Sequence, residues 1–198
     1  MQALKQLSAA LLLCGLAAHA SAATALDTYG PGNATDGWAS MLTDSQHLAV
    51  AFDIASPTTI QSLLTSIDGV GGVTVGILAR SGSVPTDAAW LYSTHLVDPW
   101  ANTAISPAGW TLAAGTYWLA AVGDAGFAGQ WQSGTDNPSV AWAYTESAGA
   151  WQAVTTGFTG APAARISVSA VPEPATYGLM ALGALVVGAA ARRKQQQG

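Results

Sequence analysis

The chain has 198 residues, of which only 9% are Asp, Glu, Lys or Arg, against about 25% in an ordinary soluble domain. Between Ala23 and Val171 the cations are Arg80 and Arg165, facing Asp27, Asp36, Asp44, Asp53, Asp68, Asp87, Asp98, Asp124, Asp136 and Glu146. So acidic a segment repels a phosphate backbone, which excludes nucleic acid as a partner, and so charge-poor a chain is unlike a cytoplasmic enzyme. The length suits one domain with tails.

The first segment, "MQALKQLSAALLLCGLAAHASAATA", has Lys5 in a short positive region, an apolar run from Leu7 to Ala18, and small residues after it. This pattern predicts a secretory signal peptide over residues 1–22. Signal peptidase would cut in the region Ala20, Ser21, Ala22, Ala23, where Ala-His-Ala and Ala-Ser-Ala both satisfy the small-x-small rule. The single cysteine, Cys14, falls inside it, and Leu11-Leu12-Leu13 before it lack the small residue that precedes a lipidated cysteine. The mature chain therefore has no thiol, no disulfide and no cysteine metal site.

Residues 23–170 read as short strands separated by turn signals. "HLAVAFDI" alternates Leu48, Val50, Phe52 and Ile54 with period two, and Asp68-Gly69 with Gly71-Gly72 suggest a hairpin between two further strands. The segment from Gln61 to Ile67 reads either as helix or as strand. "GWTLAAGTYWLAAVG" has apolar side chains on both faces, so both faces of that strand should be covered. More strands are expected at 89–95, 128–132, 139–145, 150–154 and 164–170. Roughly eight to ten strands with Gly or Pro between them predict an all-β fold, an antiparallel β-sandwich of jelly-roll-like form.

Signatures of catalysis are missing from this region. It has no Gly-x-Ser-x-Gly elbow, no His-Glu-x-x-His, and no phosphate or dinucleotide loop. His47 and His95 each stand alone in a strand-like run, with no partner signalled nearby. Asp98, Asp124, Asp136 and Glu146 lie in or near loops and are the carboxylates a glycoside hydrolase would need. Asp36-Gly37, Asp68-Gly69 and Asp98-Pro99 are, however, ordinary turn chemistry. Asp27 and Asp36 form no dense calcium-binding cluster, so neither a metal nor a cofactor is expected, and the reading is non-enzymatic. Asn33-Ala34-Thr35 has the form of a glycosylation sequon.

The chain has 8 tryptophans. Exposed indoles stack on sugar faces, which makes Trp100, Trp131 and Trp151 candidate glycan-stacking residues. The competing expectation is burial in a sandwich that lacks disulfides, where aromatics supply much of the core.

The tail is "VPEPATYGLMALGALVVGAAARRKQQQG". Pro172, Glu173 and Pro174 hold the chain extended. The uncharged run 175–191 would make a transmembrane helix of about 25 Å at 1.5 Å per residue, within reach of a hydrocarbon core of about 30 Å. Arg192, Arg193 and Lys194 would stay on the cytoplasmic side. This order of motif, apolar helix and basic cluster closely resembles the PEP-CTERM sorting signal of Gram-negative bacteria. The resemblance implies recognition by exosortase, a membrane cysteine protease, after transient anchoring in the inner membrane. Residues 23–170, with Leu-x-x-Gly-x-Tyr-Trp at Leu112 to Trp118, resemble the exported choice-of-anchor sandwich domains.

Three domains follow: a signal peptide at 1–22, an ectodomain at 23–170 and a sorting tail at 171–198. The expected role is that of an exported, exosortase-processed surface or extracellular-matrix protein, structural or adhesive, with extracellular polysaccharide as a candidate partner. A carbohydrate-binding module and a secreted glycoside hydrolase are the alternatives.

Overall fold

The computed structural model describes residues 22–87, 89–135, 140–154 and 160–170, together with Gly183. The expected signal peptide up to Ser21, the sorting residues Pro172, Glu173 and Pro174, the expected membrane helix apart from Gly183, and the basic cluster Arg192, Arg193 and Lys194 lie outside the described residues. Among the described residues no helix is long and apolar enough to cross a membrane. Residues Ala22–Ala170 form one compact unit.

In chain order its strands are β1 (Ala23–Asp27), β2 (Thr35–Thr43), β3 (Leu48–Ile54), β4 (Thr58–Thr65), β5 (Ile67–Val70), β6 (Gly72–Ser81), β7 (Val84–Pro85), β8 (Tyr92–Val97), β9 (Thr103–Ile105), β10 (Thr111–Leu112), β11 (Gly115–Gly123), β12 (Ala128–Gly134), β13 (Trp142–Tyr144), β14 (Gln152–Ala153) and β15 (Ala164–Ala170). Every pairing among them is antiparallel. A first sheet runs β1-β15-β4-β10, with β9 also on β4. A second runs β14-β13-β3-β11-β6-β7, with β8 also on β6. A third, smaller sheet runs β2-β12-β5.

Alternation explains the packing. In β3, Leu48, Val50, Phe52 and Ile54 point to one side, and Val50, Leu119 and Ile77 stand opposite one another across β3, β11 and β6. These meet Leu26, Ile60, Leu63 and Ile166 of the first sheet and Leu42, Ile67 and Trp131 of the third in one buried cluster. Each such side chain removed from water contributes about 1.5–3 kcal/mol. On the other side of the second sheet, Ala49, Leu78, Trp118, Ala120 and Ala143 form a smaller buried cluster beneath Val84, Trp90 and Trp151. β11 is thus buried on both faces, as its sequence indicates.

Two expectations are corrected. The hairpin at residues 68–72 does not form: β4 belongs to the first sheet, β5 to the third and β6 to the second. The chain turns between β5 and β6 at Gly71, where φ is 101°, and a left-handed backbone of this kind favours glycine. β5 pairs instead with β12, where Gly69 and Gly129 lie opposite each other and Phe127 packs so closely over both that neither position has room for a Cβ. The strands also outnumber the eight to ten expected. β1 and β2 carry weak alternation, and β7, β10 and β14 are two residues each. The ambiguous stretch Gln61–Ile67 is extended, divided between β4 and β5.

Candidate functional site

The three candidate stacking tryptophans have three different fates. Trp100 is 76% exposed and sits in a tight turn whose backbone carbonyl accepts both the amide of Thr103 at 3.0 Å and its hydroxyl at 2.6 Å. Trp131 is fully buried, and its indole N–H donates to the Ala163 carbonyl at 2.9 Å. It has no face to offer a sugar, so its candidacy is withdrawn. The cause is its place on β12, the middle strand of the third sheet, where it points inward opposite Ile67 and Ser40.

Trp151 is half-buried and helps form a cleft of about 220 Å³ with His47, Asp87, Trp90 and Thr145. This cleft lies over the outer side of the second sheet. The His47 and Trp151 rings are 6.3 Å apart at 53°. Burial holds the His47 imidazole below its ordinary pKa, partly offset by the hydrogen bond it donates to the Asp44 backbone carbonyl and by the Asp44 charge. Trp38, passed over in the sequence, is 67% exposed. Its neighbour Asp36 accepts its backbone amide at 2.8 Å, close to where β2 and β12 slip register.

His95 has a partner that the sequence around it does not signal. Its Nε2 lies 2.8 Å from Asp124 Oδ2, both side chains about half exposed. The two residues are 29 positions apart, so nothing local signals the pair.

Two of the loop carboxylates bind backbone amides. Asp98 accepts the Gly71 amide at 2.7 Å and Asp44 the Gly126 amide at 2.9 Å. Asp124 is held by His95, Glu146 is exposed, and Asp136 lies outside the described residues. Asp27 accepts from Arg165 Nε at 2.7 Å, while Arg165 Nη1 donates to Asn33 at 2.6 Å and its guanidinium lies over the Tyr29 ring at 5.6 Å. The sequon carboxamide is therefore engaged by the protein itself. Burial pushes the Tyr29 phenol well above its ordinary pKa, keeping it neutral. Among the described residues no three His, Cys, Asp or Glu side chains gather as a metal site.

Of the expected cleavage region, Ala22 and Ala23 are described and exposed. Ala23 opens β1 and pairs with Val168 on β15, while Ala20 and Ser21 lie outside the described residues.

Residues 170–194 match the family profile of the PEP-CTERM protein-sorting motif. The match covers the motif, the apolar run and the basic cluster, and leaves residues 22–169 outside it. No curated protein matches the chain.

Proposed function

We propose that this chain, which its PEP-CTERM motif marks as an exported target of exosortase, works at the cell surface or in the extracellular matrix as a non-enzymatic structural or adhesive protein. The observation that carries the reading is the motif at residues 170–194. Its physical logic is a division of labour. Pro172 and Pro174 keep an extended, cleavable segment, the apolar helix 175–191 holds the chain in the inner membrane, and Arg192, Arg193 and Lys194 stop it there. The signal peptide at 1–22 places residues 23–170 outside.

In this reading the exported unit is a jelly-roll-like β-sandwich of the choice-of-anchor kind. The larger buried cluster, shared by its three sheets, supports that architecture. Such a unit, with no cysteine between residues 23 and 170, suits a matrix rich in exopolysaccharide, as in a biofilm.

The test is the intact mass and location of the mature protein in its native cells. A species that begins near Ala23, ends close to Pro174 and lies outside the inner membrane is the expected result. A species that keeps Arg192–Gly198 in the membrane fraction would overturn surface delivery.

A carbohydrate-binding module is the second reading. The cleft formed by His47, Trp90 and Trp151 supports it, because two indoles beside polar groups suit a sugar ring. Loss of glycan binding in Trp151→Ala with an unchanged melting temperature would favour it.

A further inference from the structure

A larger cleft, of about 500 Å³, is lined by residues of β3, β6 and β11 of the second sheet, by β1 of the first, and by the segments at Ser83 and Val140. Thr116 on β11 stands opposite Asp53 on β3, and the next residues on that face are Trp118 and its partner Ala51. Ala51 and Val140 give the cleft apolar surface, with Trp118 almost wholly buried at its border, while Asp53, Arg80, Ser83 and Thr116 line it with polar groups.

Two side chains at the cleft stand out. Trp118 is 2% exposed, yet its indole N–H meets no acceptor among the described residues. A buried donor left unpaired costs about 1–3 kcal/mol, a cost the fold bears at a residue that borders the cleft. Arg80 is the other. Arg165 is clamped between Asp27 and Asn33. Arg80 instead donates Nε to the Gly82 carbonyl, and no carboxylate pairs with it among the described residues.

We propose that this cleft binds a neutral, hydroxyl-rich saccharide. Arg80 offers donors only and Asp53 acceptors only, their charges cancel, the Ser83 hydroxyl both donates and accepts, and Thr116, whose proton goes to Asp53, adds an acceptor. Asp53 already accepts the Thr116 hydroxyl at 2.6 Å through Oδ1, which leaves Oδ2 for a ligand. Groups that both give and take hydrogen bonds, with no net charge, match sugar hydroxyls. The apolar surface of Ala51 and Val140 suits the C–H groups of a sugar. A polyanionic glycan would meet the excess of carboxylates over arginines in the unit and be repelled. The proposal rests on the surface-matrix reading and gives that reading a ligand class.

The experiment is calorimetric titration of the full-length protein in a detergent without sugar headgroups, using neutral gluco-, manno- and galacto-configured trisaccharides and trigalacturonate. Saturable binding of a neutral trisaccharide is expected. Asp53→Asn and Arg80→Gln, both on exposed side chains, should each weaken it by about fivefold or more. These two exposed variants decide the result. No neutral trisaccharide bound at about 10 mM, binding of trigalacturonate alone, or full affinity in both exposed variants would overturn the proposal. Correct surface delivery without sugar binding sinks the cleft alone, whereas sugar binding by a chain stranded in the inner membrane sinks the delivery reading.

Discussion

His95 and Asp124 approach to 2.8 Å across Gly72, a position with no side chain: a methyl there would overlap both partners. Since both are the ends of flexible side chains, Gly72→Ala should separate the pair and leave the fold standing. The pair is half exposed, so the loss should be about 0–1 kcal/mol. Gly134 differs, because a methyl there would run into the backbone carbonyl of buried Thr28. Gly134→Ala should cost about 3 kcal/mol. Urea melts of the two variants check the contrast, and equal losses would contradict it.

Trp131 and Trp100 predict opposite outcomes. Trp131→Ala removes a fully buried indole and its bond to Ala163, and should lower stability by about 3–5 kcal/mol. Trp100→Ala removes an exposed ring and should change stability by no more than about 0.5 kcal/mol. Thermal melts decide this. Any glycan affinity lost in Trp131→Ala should track unfolding, whereas a loss in Trp100→Ala would place a sugar at that turn.

His47 should make the fold acid-sensitive. Burial lowers its pKa in the folded state, so the unfolded chain takes up the proton more readily there. The stability tied to this group is complete above its unfolded value of about 6.5 and falls as pH drops through that value toward the lower folded pKa. Between about pH 7.5 and about pH 5.5 the melting temperature should fall less in His47→Gln than in the parent. Equal slopes would show that the histidine is not the sensor.

Replacing Pro172-Glu173-Pro174 by Ala should leave full-length protein in the inner membrane. Fractionation with an antibody against the unit reads this directly, and normal release of the variant would remove the basis for exosortase processing.

What was legible in the sequence follows the range of the interactions involved. The sorting tail is a local, ordered signal, and it was readable outright. β3, β11 and β15 carry enough alternation or apolar density to be found. β2 does not: in "TDGWASMLT" Leu42 is the one fully buried residue, so period two never appears. With β2 unseen, the third sheet was unseen too, and with it the reason Trp131 is buried. "GQWQSG" and "DPWANT" look alike locally; pairing partners about ninety and sixty residues away set the fate of the first. The cleft at Trp118 and Arg80 was invisible for the same reason, since β3, β6 and β11 meet there only through long-range register.

The place of β15 sets an order of events for export. It lies between β1 and β4, so the first sheet stays split until the last residues before the sorting tail have crossed the membrane. Ala170 closes against Thr58, and the residue after it already begins the tail. The unit therefore cannot complete its fold while it is still threading, and pairings this distant in sequence form slowly. Anchoring by the tail would then hold the chain at the outer side of the membrane during the interval in which its unpaired strands are most prone to aggregate, so that exosortase cleavage releases a folded molecule.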